Sequence, residues 1–319
     1  MHPAWSIIFF TSASGLGLGL AGWIVLGILD LSRFAHLIFV SGFTFGLIVA
    51  GLLSSTLHLG HPERAWRALS QWRSSWLSRE GVLAIIVLAA LSAWFLSVFL
   101  GVSPPLWANF GLITLITATV YATSMIYASL RTVACWHHPL TPVCYIMFSV
   151  SGGSLAFVWL SAVVNQHASI WFAYCAAGLI FAAWVVKFFW WRMLDSRTSH
   201  SSLASATGLG ALGKVKTLMP PHTSENYLQT EMGFVVARRH AVKLRVISVF
   251  LGCIVPLSAL CLTTDSIGLL SVVLLAHLLG IFIERWLFFA EAKHVVSTYY
   301  NDDEDLKSPY DTTLTPLNQ

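Results

Sequence analysis

The sequence predicts an all-α polytopic membrane protein, a helical bundle of eight transmembrane helices with an amphipathic interfacial helix between the second and third. Three observations carry this expectation. Of 319 residues, 56% are hydrophobic and 10% are charged, whereas a soluble domain carries about a quarter charged residues. Apolar runs near the roughly twenty residues that cross the hydrocarbon recur eight times along the chain. These runs are continuous, and barrel strands would alternate.

The first run, 5–29, follows no Lys or Arg and outlasts a signal-peptide core, so it is expected to be a retained span. Within it Gly15, Gly19 and Gly22, with Gly17 between them, have the small-residue spacing that lets helix backbones approach. The second run is 35–56. After it comes HLGHPERAWRALSQWRSSWLSRE, residues 58–80, which holds nearly every charge in the first half of the chain. Lying between two spans, its charges belong at a membrane surface. Pro62 suits a first helical turn, and Ala65, Trp66, Leu69, Trp72 and Trp76 recur at intervals of three or four. Glu63, Arg64, Arg67, Gln71 and Ser74 fall opposite. The segment therefore reads as a short helix on the headgroups, its Trp side inward, with Trp66 and Trp72 as packing residues.

The remaining spans are expected at 82–101, 107–129, 143–164, 169–190, 243–264 and 266–290. Ser151, Gly152, Gly153 and Ser154 offer a second small-residue contact in the fifth. The last four spans do not repeat the first four, which weighs against an inverted-repeat transporter. Residues 1–290 thus form one transmembrane domain, interrupted by a loop at 191–242 between helices 6 and 7. That loop opens Ser/Gly/Pro-rich, then offers an N-cap at Thr223 or Ser224 and a helical pattern leading into the seventh span. Residues 291–319 form an acidic tail that reads as solvated.

Of the 18 Lys and Arg residues, only Arg33 falls in an odd-numbered loop. The positive-inside rule then places both termini, the 58–80 segment and the tail in the cytoplasm, in a bacterial plasma membrane. No nucleic-acid partner is expected of such a protein.

The five cysteines show no CxxC, no CxxCH and no Cys/His zinc spacing, so neither a metal site nor an iron–sulfur cluster nor covalent haem is expected here. A b-type haem needs two facing imidazoles deep in the bilayer, and only His277 lies deep. Ionisable groups near the hydrocarbon are more informative, because they require a partner or a function. These are His58, Arg64, Glu80 and the pair Glu284 and Arg285. An imidazole at one span end and a carboxylate at the next can exchange protons near neutral pH. A Trp-rich interfacial helix beside them suits a ring with a lipid tail, which is the chemistry of a membrane quinone. Glu284 with Arg285 reads equally as a structural ion pair.

The string LHLGHPERA, then LSRE, with a tryptophan-rich helix between, closely resembles the membrane-anchor subunit of dimethyl sulfoxide reductase-type molybdoenzymes. The resemblance implies an eight-span anchor without haem that exchanges electrons with membrane quinone, ubiquinone or menaquinone. It also implies two partners, an iron–sulfur electron-transfer subunit and a molybdopterin catalytic subunit, which hold the clusters and the molybdenum. The family's quinol-site histidine falls on His58, its site carboxylate on Glu80, its loop arginine on Arg64, and its arginine-plus-aromatic element, IERWLFF, on Arg285. His58 and Glu80 would be catalytic, and Arg64 and Arg285 would join them in holding the quinone. The sixth loop is longer than in the dimethyl sulfoxide enzyme's anchor, and the basic residues point the motif inward. Both features, with PPHTSENYL, EMGFVVARRHAVKLR and ERWLFFAEAKH, are similar to the anchor branch of the quinone-linked sulfite dehydrogenase. The expected function is therefore a quinone-reducing anchor for sulfite oxidation. The alternatives are a quinol-oxidising anchor of a sulfoxide reductase, a b-haem cytochrome subunit, or a stand-alone transporter.

Overall fold

The computed structural model describes residues 5–26, 29–58, 61–165, 169–196, 203–216, 235–262, 266–292, 294 and 295. Of these, the side chains of 58, 62, 165 and 235–239 are not described. The expected helical start at Thr223 or Ser224 lies outside the described residues, as do 197–202 and 217–234 of the 191–242 loop and 293 and 296–319 of the acidic tail. Among the described residues eight helices are long and apolar enough to span a membrane, and there is no strand beyond an isolated bridge between Val133 and His294.

In order these are α1 (Trp5–Val25), α2 (Phe34–Ser54), α3 (Trp76–Phe99), α4 (Leu106–Ala128), α5 (Leu140–Asn165) and α6 (Ile170–Ser196). Next come α7 (Val235–Val249), which continues through a π-turn at Phe250–Ile254 into Val255–Leu262, and α8 (Ile267–Ala290). The seventh span is His240–Leu262. Helices α1 and α5 are the centre: 72% of each apolar window is buried, against 28% for α3. α1 lies against α2, α4, α5 and α8, and α5 adds α6.

Glycines set the closest of these approaches. A Cβ on Gly19 would collide with the Ser149 backbone of α5, and one on Gly17 would stand 2.7 Å from Ile48 of α2. Gly15 and Gly22 face open space instead. Two of the four expected contact positions therefore make the contact, Gly17 toward α2 and Gly19 toward α5.

Several helices outrun their apolar runs. α3 begins at Trp76, six residues before the expected 82, because Ser75 caps it by accepting from Ser78 N. α6 reaches Ser196, past 190, and α7 begins before 243. In α6 the added turns carry exposed Arg192, Asp195 and Ser196, polar side chains that reach water from a helix that is still regular. Three helix ends are tied together there. Arg245 of α7 bonds Asp195 of α6 at 2.7 Å and Glu291, just past α8, at 2.7 Å. Burial pushes the Glu291 carboxyl above its usual range, and Arg245 opposes that shift.

Candidate functional site

The segment between α2 and α3 does form helix, but of the tighter 3₁₀ type: Ser55–His58, then Pro62–Gln71. At three residues per turn, side chains three apart eclipse one another. Arg64 and Arg67 thus share one row, Trp66, Leu69 and Trp72 the next, and Ala65 and Ala68 the third. Ala65, Ala68 and Leu69 are half-buried, with Leu69 lying over Gly81 of α3, where a Cβ would come within 2.9 Å. Trp66 and Trp72 are 68% and 52% exposed. They do not pack on the protein's own helices, contrary to the sequence expectation. Leu69, between them on the same row, makes the contact with α3 instead, and both rings stay exposed. The segment is clamped to α3 through its carbonyls. The Ser78 hydroxyl donates to Ala68 O, Arg79 Nε to Trp72 O at 3.0 Å and Arg79 Nη2 to Arg73 O at 2.6 Å.

His58 ends the first 3₁₀ turn, and its side chain lies outside the described residues. Arg64 is exposed. Its Nε is 3.7 Å from Glu63 Oε1, which also bonds His61 Nδ1 at 3.0 Å. Such a solvent-facing pair holds its members weakly, so the guanidinium is available to other partners.

Glu80, one turn inside α3, is only 4% exposed. Its Oε1 accepts from Thr123 Oγ1 of α4 at 2.5 Å. The carboxyl is thus held inside the bundle by a hydroxyl of the neighbouring helix, one residue before the glycine on which Leu69 rests.

Arg285 is buried and forms no ion pair with Glu80. Its Nε is 3.1 Å from Glu284 Oε2, and its guanidinium carbon stands 3.9 Å from the Tyr145 ring centre. Glu284 Oε1 is 2.5 Å from Lys187 Nζ, which lies 3.6 Å from the centre of the Trp190 ring. All three charged groups are 3% exposed or less. Sequence reasoning counts Lys187 among the basic residues of the cytoplasmic face, whereas the structure buries it in the core. The signal that finds it is a single Lys inside a 27-residue apolar helix, with Trp190 and Trp191 one turn on. Arg285 and Thr123 line one small internal cavity together with Tyr145 and His277, so the cluster and the partner of Glu80 meet across that space. Tyr145, Thr123 and Lys187 have no part in the sequence motif.

The model of the DMSO reductase anchor subunit family (DmsC) matches residues 1–290. The C subunit of a sulfite dehydrogenase from Allochromatium vinosum is 30% identical over 94% of this protein and 99% of its own length. In Escherichia coli, the C component of the anaerobic dimethyl sulfoxide reductase is 32% identical over 35% of this protein and 41% of its own length. The anaerobic dimethyl sulfoxide reductase component YnfH of the same organism is 27% identical over 52% and 59%. With eight spans and a family match that runs from the first helix to the end of the last, the chain belongs to the DMSO reductase anchor subunit family.

Proposed function

We propose that the chain is the quinone-reactive membrane anchor of a molybdopterin and iron–sulfur oxidoreductase, passing electrons from sulfite oxidised at the cytoplasmic face to membrane quinone. The observation that carries this reading is Glu80, a carboxylate buried at the head of α3 behind a 3₁₀ segment that bears His58 and Arg64. The near full-length similarity to a sulfite dehydrogenase component supports sulfite as the partner's substrate. Basic residues concentrated at one membrane face support a cytoplasmic position for the segment and both termini.

A quinone, when bound, takes up two electrons and two protons to become quinol. The residues present suit that ring. The exposed faces of Trp66 and Trp72 offer apolar surface to an isoprenoid tail, and the Arg64 guanidinium can donate to a ring oxygen. His58 would hold one proton at a ring oxygen. Glu80 would carry the second between the cytoplasmic water and the ring, with Thr123 orienting its carboxyl. Electrons arrive from the iron–sulfur subunit, so this chain needs no metal of its own.

The test uses the assembled complex in membranes. His58→Ala is expected to leave assembly and dye-linked sulfite oxidation intact while abolishing quinone-linked turnover. Unchanged quinone turnover would put the site elsewhere. A quinol-oxidising reductase draws on the same residues and on the match to the Escherichia coli dimethyl sulfoxide reductase component. Sulfite-dependent quinone reduction by the purified complex separates the two directions.

A further inference from the structure

Pro256 sits within the seventh span and has no N–H for the carbonyl four residues back, that of Gly252. The helix loosens there into the π-turn, and Gly252 O accepts two outside donors instead: Trp184 Nε1 at 3.0 Å and His277 Nδ1 at 2.7 Å. A carbonyl only accepts, so Nδ1 of His277 carries the proton and Nε2 of the neutral ring is a lone pair. His277 and Ser12 of α1 are both buried, and among the described residues neither His277 Nε2 nor Ser12 Oγ has a hydrogen-bond partner. Buried polar atoms of this kind call for a partner.

Both residues line one cavity of about 30 Å³ between α1, α4, α5 and α8, with Thr123, Tyr145 and Arg285 in its wall. Gly152 keeps it open, since a Cβ there would stand 3.5 Å from His277 Nε2 and 3.1 Å from Leu16 Cδ1. One water needs roughly 10–15 Å³ and two to four polar neighbours, and this space offers both.

We propose that the cavity is an internal water site whose water lets Thr123 exchange hydrogen-bond partners as Glu80 gains and loses its proton. The functional half of this inference rests on the reading of Glu80 as a proton-handling group. Thr123 has one hydroxyl proton and two acceptors within reach, Glu80 Oε1 and, at 3.1 Å, Thr119 O. With Glu80 ionised, the hydroxyl donates to the carboxylate. With Glu80 protonated, the acid donates to Thr123, whose own proton turns to Thr119 O. A water held by His277 Nε2 and Ser12 Oγ, in the cavity that Thr123 also lines, reorients with each change and solvates both states. His277 and Ser12 are positioning residues: they hold the water and do not touch the quinone.

The experiment takes the intact complex through cryo-electron microscopy at a resolution that shows waters, and through quinone-linked and dye-linked turnover in H₂O and D₂O. A density peak within hydrogen-bond distance of both His277 Nε2 and Ser12 Oγ is expected, and it should vanish in Gly152→Ala. In Gly152→Ala and Ser12→Ala, quinone-linked kcat should fall roughly 10-fold. The solvent isotope effect should rise, while KM for quinone and the dye-linked rate hold. Thr123→Ser should retain turnover that Thr123→Val loses. An empty cavity, or quinone kinetics indifferent to Gly152→Ala and Ser12→Ala, overturns the proposal. If Glu80→Gln still abolishes quinone turnover in that case, the site reading survives. If Glu80→Gln is also silent, the site reading itself fails.

Discussion

Lys187 and Arg285 bring two buried cations to a single carboxylate, Glu284. Aromatic faces supply the remaining negative potential, with Trp190 against the ammonium and Tyr145 against the guanidinium. This charge count predicts an asymmetry. Glu284→Gln leaves two like charges facing each other out of water, which should destabilise the protein by about 3–5 kcal/mol. Lys187→Met leaves the neutral Glu284–Arg285 pair and should be milder by at least half. Thermal unfolding midpoints of the two purified variants test the order, and a worse effect from Lys187→Met would refute the charge count. In the sequence Glu284 and Arg285 are visible as neighbours, and His277 as a deep imidazole. Their partners Lys187, Tyr145 and Gly252 lie far off in the chain, and the sequence does not show which of them meet.

At the scale of the helix, α1 is fitted to α5 through Gly19 and to α2 through Gly17. Gly19→Ala should prevent this approach, costing about 1–3 kcal/mol or more, as overpacked contacts do. Gly15→Ala, with no atom within 4 Å of its Cβ, should be silent. Detergent-extracted yield and melting temperature measure the difference, and equal behaviour of the two variants would contradict the packing described. The 3₁₀ segment depends on its clamp to α3 in a similar way. Ser78→Ala removes the hydroxyl bond to Ala68 O, a change of about 1 kcal/mol. It should lower quinone-linked turnover while dye-linked turnover stays unchanged. Helical spacing in the sequence indicates that this segment is helix. Which of its side chains docks, Leu69 on Gly81 with Trp66 and Trp72 left exposed, is set by the contact with α3.

For the whole molecule, the charge asymmetry predicts topology. Green fluorescent protein fused at the C-terminus should fluoresce, whereas alkaline phosphatase fused there should be inactive. The opposite result would turn the 3₁₀ segment and the sulfite reading to the outer face. Fold class, the number of spans and the family motif follow from sequence alone, because lipid acts on each helix separately and hydropathy sums along the chain. Only the tertiary structure decides that Gly19 but not Gly15 meets a neighbouring backbone, that Lys187 is interior, and that Arg285, His277 and Thr123, the partner of Glu80, share one cavity. Those outcomes depend on which faces of distant helices come within a few ångströms of each other, and a buried polar group finds its partner only after that approach.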